Sequence, residues 1–253
     1  MNTVKIRNLT LGAGIPAICI PNIGRTRDEI LSLTGQYQNM HMDLMEWRAD
    51  WFEGVEEIDR VTDVLTEIRG ILGDTPLLFT FRTAREGGVR KMDTHTYIEL
   101  NKAAAATGMA DLIDVELFTG DAIVHDLISF IHANHAKAVV SNHDFGKTPS
   151  QSDIIYRLRR MQDMGADIPK IAVMPQSRRD VITLLAATEE MASDYADRPI
   201  ITMSMSGLGS ISRFSCEVFG SCMTFGSGAM ASAPGQIEAE ELYGVLASIH
   251  HAL

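Results

Sequence analysis

The strongest constraint on the fold is a repeated pair of patterns, in which a short apolar run is followed by a longer stretch with apolar residues three and four positions apart. The first pattern is typical of buried strands and the second of amphipathic helices. The strand pattern occurs eight times, at residues 16–21, 42–50, 76–83, 112–117, 137–144, 168–175, 199–206 and 222–227. Eight such strand-helix units, of roughly 30 residues each, match an α/β protein of the (β/α)8 TIM barrel type.

A doubly wound parallel sheet is the alternative architecture. Such a sheet usually has fewer strands and a glycine-rich phosphate turn after the first one, whereas residues 21–24 do not form a G-x-G-x-x-G motif. Residues 4–12 alternate in polarity and predict an N-terminal β-hairpin that closes the barrel floor. No linker is visible, so we predict one catalytic barrel domain over residues 1–253.

Capping patterns predict where two of the helices begin and end. Asp93 is followed by a helical pattern that ends at Gly108, and Ser152 is followed by one that ends at Gly165. Asp and Ser are favoured N-cap residues, and glycine is the favoured residue just beyond a helix C-terminus. We therefore place helices between these pairs.

Charge and composition exclude several classes of partner. The net charge of -11 repels a nucleic-acid backbone, and neither a Lys/Arg run of the kind that tracks nucleic acid nor a run of about 18 apolar residues occurs. The N-terminus has no apolar signal-peptide core. Three scattered cysteines are too few for a disulfide framework and are predicted to be small core residues. We expect a cytoplasmic protein with a small-molecule substrate, and neither nucleic acid nor membrane as partner.

Lys170 is the most unusual polar residue of the predicted strands, because it lies between Pro169 and the apolar run 171–174. Lysine is seldom placed in an interior strand. One interpretation is structural, an ion pair with a barrel glutamate such as Glu116. The other is chemical, because an unprotonated amine can attack a ketone and form an imine. We predict covalent chemistry at Lys170.

His143 and Glu86 fall at the ends of two other predicted strands, where a (β/α)8 barrel carries its catalytic groups. His143 lies on the strand that precedes the strand of Lys170, so the two side chains should be neighbours. Imidazole titrates near neutral pH and can both take and return a proton. We predict that His143 is the proton shuttle and that Glu86 orients its ring.

Arg48, Arg82 and Arg213 fall at the same end of the predicted barrel. Three cations at the mouth of an acidic protein indicate a local anion site. The carboxylate of a small polyol acid is the simplest ligand, and phosphate is the alternative because glycines follow the last two strands. No HxH or HExxH motif occurs, and an imine would itself supply the electron sink, so neither a metal nor another cofactor is expected.

These residues lie in six segments, EWRAD, FTFRTAREGG, SNHDF, ADIPKIAVMPQS, RPIITMSM and ASAPGQI. In this order and spacing they resemble the type I 3-dehydroquinate dehydratases over nearly the whole chain. The resemblance implies a homodimeric, cofactor-free (β/α)8 hydro-lyase of the shikimate pathway of aromatic amino acid biosynthesis, which converts 3-dehydroquinate into 3-dehydroshikimate. It places the Schiff-base lysine at Lys170, the general acid/base histidine at His143 and the histidine-orienting glutamate at Glu86.

The resemblance also assigns the substrate contacts. They fall on Glu46, Arg48, Arg82, Arg213, Ser232 and Gln236. It implies that the substrate carboxylate lies near Arg213 and the ring hydroxyls near Glu46 and Arg82. The chain departs from some members at the end of the first strand, where Pro21 replaces a serine that contacts substrate, and in loops 206–213 and 226–236, which lack lysines found in those members.

Two other functions remain open. A lysine-dependent aldolase would use the same amine and the same barrel to break a carbon-carbon bond of a sugar phosphate. A barrel that only binds a hydroxy acid would have no use for a buried amine beside a histidine. Formation of a conjugated enone from dehydroquinate distinguishes the dehydratase from both.

Overall fold

The computed structural model describes residues 3–229 and 235–253. The chain starts with an antiparallel hairpin, β1 (Val4–Ile6) and β2 (Leu9–Leu11). Eight parallel strands follow at the predicted places: β3 (Ala17–Asn22), β4 (Leu44–Arg48), β5 (Leu77–Thr80), β6 (Leu112–Glu116), β7 (Lys137–Asp144), β8 (Ile168–Val173), β9 (Ile201–Ser204) and β10 (Met223–Ser227). A two-residue strand, β11 (Ile237–Glu238), pairs with the end of β10.

The parallel strands form a closed ring. Strands β3 to β9 pair in chain order, and β10 pairs with β3. A parallel bridge between Ile200 and Ser221, and a hydrogen bond of 2.9 Å from the backbone N–H of Cys222 to the carbonyl of Ile200, join the last two strands. This closure confirms the (β/α)8 barrel and excludes the doubly wound sheet, which would leave two open edges.

Helices cover the outside of the ring. They are α1 (Arg27–Tyr37), α2 (Ile58–Leu72), α3 (Thr94–Ala106), α4 (Asp121–Ala133), α5 (Gln151–Asp163), α6 (Arg178–Glu190), α7 (Ile211–Phe214), α8 (Cys216–Phe219) and α9 (Ala239–His250). Asp93 caps α3, as predicted. The prediction that Ser152 begins α5 is wrong by two residues. Ser150 is the cap, because it has extended backbone angles and stands three residues before Asp153. Its hydroxyl accepts a hydrogen bond from the backbone N–H of Asp153.

The barrel interior changes from apolar to polar along the strands. Ile6 and Leu11 of the hairpin pack against apolar residues at the lower strand ends, among them Leu44, Leu78 and Leu112, which confirms the predicted floor. Alternate strand residues point inward, so the next inward position lies two residues further on. Polar side chains occupy it on five consecutive strands: Glu46, Thr80, Asp114, Ser141 and Lys170.

The cysteines and the helices agree with what the composition predicts for them. All three cysteines are buried free thiols in the protein core. Within the described ranges, no helix combines the length and the apolar character that a membrane span requires.

Candidate active site

The polar half of the barrel opens into a cavity of about 160 Å³ at the C-terminal ends of the strands. Its walls include eight of the nine residues that the sequence singles out: Glu46, Arg48, Arg82, Glu86, His143, Lys170, Arg213 and Gln236. The ninth, Ser232, lies outside the described residues. Apolar walls come from Phe145, Ala172, Met203, Met205 and Phe225. The cavity therefore combines many charged groups with apolar surfaces that exclude water.

Lys170 lies deep in this cavity and is only 3% exposed. Its Nζ is 3.5 Å from Glu46 Oε1, 3.5 Å from Asp114 Oδ2 and 4.5 Å from the centroid of the Phe225 ring. Two carboxylates and an aromatic face stabilise a positive charge at this point. An ion pair with a barrel glutamate is therefore present, but the partner is Glu46 and not Glu116, whose carboxylate accepts hydrogen bonds from Arg82 and Thr83.

Asp114 is fully buried, and its Oδ2 lies 3.5 Å from the Nζ of Lys170. Its Oδ1 accepts a hydrogen bond from Ser141 Oγ at 2.7 Å and forms an ion pair with Arg82 Nη2 at 2.8 Å. Burial opposes its ionisation, but the positive charges of Arg82 and Lys170 outweigh this and hold the pKa of Asp114 below its usual value. Asp114 is therefore a permanent anion beside Lys170.

His143 and Glu86 form a hydrogen-bonded pair at the cavity wall. Glu86 Oε2 accepts the backbone N–H of His143 at 2.8 Å and lies 3.1 Å from Nδ1 of the ring. Burial and the nearby cations Arg82, Lys170 and Arg48 lower the pKa of His143 well below 6.5. When Glu86 is ionised, the neutral ring donates through Nδ1 and keeps a lone pair on Nε2, which is the form that can accept a proton.

The pKa of Glu86 itself is raised to about 7. Burial is the main cause, the charge of Glu116 adds to it, and the guanidinium of Arg82 opposes it. A carboxyl group that titrates near neutral pH next to a histidine is typical of a catalytic site.

Arg48 and Arg82 are neutralised by carboxylates of the wall. Arg48 donates from Nε and Nη2 to the two oxygens of the buried Asp50 at 2.8 and 2.9 Å. Arg82 Nη1 donates to Glu116 Oε1 at 3.0 Å. These two arginines offer directional N–H groups to a polar ligand but little unbalanced charge.

Arg213 differs, because its guanidinium has no carboxylate partner among the described residues. It is 1% exposed, its Nη1 donates to the carbonyl of Phe225 at 3.3 Å, and its Nε has no hydrogen bond within the described part of the chain. Burial lowers its pKa. A buried guanidinium that faces a cavity without a counterion is a receptor for an anion, and its planar N–H groups match a carboxylate.

Close packing explains two of the glycines that made phosphate an alternative ligand. A Cβ on Gly209 would lie 2.4 Å from the carbonyl oxygen of Ser204, and one on Gly228 would lie 2.3 Å from the ring of Tyr37. Both positions therefore need glycine whatever ligand is bound, so their presence does not favour phosphate.

Sequence reasoning missed Asp114 and Asp50. Asp114 carried a usable signal, since it stands two residues before Glu116 in the same strand and so points to the same face. Asp50 stands two residues after Arg48, so that pair was visible in the sequence, whereas its contacts with the backbone N–H groups of Arg82 and Val89 arise only in the fold. Pro21 is buried in β3 opposite Glu46 in the strand register.

A family model described as type I 3-dehydroquinase matches residues 18–252. The chain is 50% identical to 3-dehydroquinate dehydratase of Clostridioides difficile over 99% of this chain and 98% of that one, and 50% identical to that of Salmonella typhimurium over the full length of both. A crystal structure of type I 3-dehydroquinate dehydratase from Clostridium difficile with covalently modified comenic acid superposes with a TM-score of 0.97 over 100% of this chain and 99% of that one, at 50% identity. The enzyme of Geobacillus kaustophilus gives 0.96 at 37% identity, covering 99% and 97%.

Proposed function

The chain belongs to the type I 3-dehydroquinase family, and from this premise we propose that it dehydrates 3-dehydroquinate to 3-dehydroshikimate through an imine on Lys170. The observation that carries the proposal is the buried amine of Lys170, which lies between two carboxylates. The strand of Lys170 pairs with the strand that carries a neutral histidine. The covalently modified comenic acid in the structure of the Clostridium difficile relative is consistent with a nucleophile in that enzyme.

The first half of the reaction makes an electron sink. Lys170 passes one proton to Nε2 of His143, and its freed amine adds to the C3 carbonyl of the substrate. The carbinolamine hydroxyl then takes that proton from His143 and leaves as water, which gives an iminium. His143 assists the proton transfers of this step. Glu46 and Asp114 stabilise the positive charge of the iminium, since they lie 3.5 Å from the nitrogen that carries it.

The second half is the elimination itself. Nε2 of His143 takes a proton from C2, and the electron pair of that bond forms an enamine with the iminium. The enamine expels the C1 hydroxyl, which leaves as water with the proton that His143 returns. One base serves both ends, so the two groups leave from the same face in a syn elimination. Hydrolysis consumes one water, releases the enone and restores Lys170, so the net loss is one water.

The remaining cavity residues bind and orient the substrate. We assign the substrate carboxylate to Arg213, because its guanidinium has no carboxylate partner in the described chain. The ring hydroxyls are assigned to Glu46, Arg48 and Arg82. The family resemblance assigns further substrate contacts to Ser232 and Gln236, and Gln236 lines the cavity.

The reaction class is tested by ultraviolet absorbance. With 3-dehydroquinate, we expect the absorbance of a conjugated enone to rise at the same rate with and without a strong chelator, because the imine is the electron sink. Saturable binding without enone formation would favour a non-catalytic barrel. Loss of the rate on chelation would show that a metal is required.

The carboxylate assignment is tested at Arg213. Replacing Arg213 with glutamine should raise KM by about 10- to 100-fold, because a charge-assisted bidentate pair contributes about 1.5 to 3 kcal/mol. The exposed Arg178 of the first turn of α6 is the matched control, and Arg178→Gln should leave KM unchanged. An unchanged KM in Arg213→Gln would place the substrate carboxylate elsewhere.

The family likeness supports three further parts of the proposal. We assign the activity to residues 1–253 as a single barrel domain. We also propose a homodimer, and a biosynthetic role in the cytoplasm within the shikimate pathway. Equilibrium sedimentation at several concentrations tests the dimer.

A further inference from the structure

A second cavity lies on the far side of the Glu86 and His143 pair. Both residues line it as well as the substrate cavity, so the pair separates the two spaces. The other polar walls of the second cavity include Arg85, Asn142, Asp144 and Arg157. Arg85 therefore faces this second cavity. The back of the proposed base is thus built from polar groups that the mechanism above does not use.

Asn142 is an exception to the pattern of its strand. The outward-facing residues before it in β7, Ala138 and Val140, pack into the apolar layer between the barrel and the helices. Asn142 takes the next outward position and is only 4% exposed. A buried amide at an apolar position requires hydrogen-bond partners, since an unpaired one costs about 1 to 3 kcal/mol.

The partners of Asn142 define which way its amide points. Arg157 Nη1 of α5 donates to Asn142 Oδ1 at 2.8 Å, and Asn142 Nδ2 donates to Glu86 Oε1 at 3.2 Å. A guanidinium can only donate hydrogen bonds, so the amide oxygen must face Arg157 and the NH2 group must face Glu86. Asp153 pairs with Arg157 at 2.7 Å and holds the guanidinium in place.

We propose that Asn142, held by Arg157, is a positioning residue that fixes the carboxylate of Glu86 and thereby keeps the ring of His143 in the tautomer that acts as a base. The inference rests on the proposed function, in which Nε2 of His143 takes the substrate proton. The amide holds one carboxylate oxygen, and the other is left to face Nδ1 of the ring.

The chemical reason lies in the two protonation states of Glu86. As an anion, it accepts the Nδ1 proton of His143 and leaves a lone pair on Nε2. As a neutral acid, it can donate to Nδ1 instead, and the ring proton then moves to Nε2, where the base is lost. Donation from Asn142 stabilises the anion, and since the pKa of Glu86 is about 7, small changes in this bond alter the active fraction near neutral pH.

Other charges also face this pair, and they stay constant in the Asn142 variants. They come from β4, the loop after β5, β6, β7, β8 and α5, and they are Arg48, Arg82, Arg85, Glu116, Asp144, Arg157 and Lys170. Substitutions at Asn142 leave every one of these groups in the chain. A change in the pH profile of Asn142→Ala therefore reports the amide contact.

The test compares the pH dependence of kcat in Asn142→Ala and Asn142→Asp with that of the wild type. Because the activity requires ionised Glu86, loss of the amide donor should move the acid limb of kcat to higher pH. The aspartate is nearly isosteric and can still pair with Arg157, but it adds a negative charge near Glu86, so its shift should be larger. We expect kcat at pH 7 to fall by about 10-fold or more in both variants, with KM within twofold and partial recovery at high pH.

Asn101→Ala is the matched control, since Asn101 is a buried amide of α3 that donates to the carbonyl of Tyr97 outside the cavity. It should lower the free energy of unfolding without moving the acid limb. The Arg157→Gln variant should move the limb in the same direction as Asn142→Ala, and the double variant should show less than the sum of the two shifts.

The ionisation of Glu86 and His143 is followed by NMR in the ligand-free protein. This readout is independent of turnover, so it remains interpretable if the substrate is not 3-dehydroquinate. Failure of the wild type to form the enone would contradict the proposed function but not the positioning role of Asn142. The pKa of Glu86 should rise in both Asn142 variants. An unmoved acid limb together with an unchanged Glu86 titration would overturn the positioning role.

Discussion

Replacing Lys170 with alanine should lower the rate of 3-dehydroquinate dehydration on the order of 10⁵-fold, because loss of a covalent nucleophile removes the whole reaction route that depends on it. Borohydride added to the wild-type protein with substrate should reduce the imine and leave a stable adduct. Mass spectrometry of peptides should locate that adduct on Lys170. The alanine variant should give none.

Folding of the variant needs a separate check. Without the cation of Lys170, the carboxylates of Glu46 and Asp114 stay buried but lose a counterion. This loss costs on the order of 3 kcal/mol of stability. Circular dichroism and a thermal melt therefore accompany the assay, and the wild-type adduct does not depend on the variant. Lys137→Ala is the matched control, since it removes a half-exposed lysine that pairs with Asp167 at the start of β7. Full activity in Lys170→Ala, or an adduct on another residue, contradicts the mechanism.

Replacing His143 with alanine should lower kcat by about 10²- to 10⁴-fold, because proton removal from C2 then lacks a positioned base. Imine formation should remain detectable but slow, so borohydride should still trap the adduct on Lys170 after long incubation. Exchange of the C2 proton with deuterated solvent should nearly stop. This separation of the two steps identifies the residue that moves the proton.

His132→Ala provides the comparison for that variant. His132 lies 2.7 Å from Asp167 on the protein surface, so its loss removes a similar hydrogen-bonded pair of histidine and carboxylate away from the cavity. It should turn over at the wild-type rate. Turnover of His143→Ala within a few-fold of wild type would assign the proton transfer to another group.

The strands could be predicted because each carries a short, mostly apolar run, and parallel strands buried on both faces give that signal clearly. The hairpin floor was also accessible, since residues 4–12 alternate in polarity. The start of α5 was harder to predict. Ser150 and Ser152 are both good caps, and the choice between them depends on which serine has Asp153 three residues later.

The candidate site could be predicted to the extent that strand ends meet at one edge of a barrel. That rule brings Lys170, His143 and Glu86 to one cavity. The rule could not assign ion-pair partners, because Arg82 and Arg213 give the same signal in sequence. In the structure, carboxylates neutralise Arg82, whereas Arg213 has no carboxylate partner among the described residues. Which arginine binds an anion is decided by tertiary contacts.

The carboxylates beside Lys170 have a consequence for the energetics of the proposed intermediate. Thr80 and Ser141 donate hydrogen bonds to Glu46 and Asp114 at 2.9 and 2.7 Å, so both anions are fixed by the barrel wall. The iminium places its positive charge at the Nζ position, 3.5 Å from both carboxylates. Its counterions are therefore in place before the covalent bond forms, and the surrounding dipoles need not reorganise when the electron sink is created.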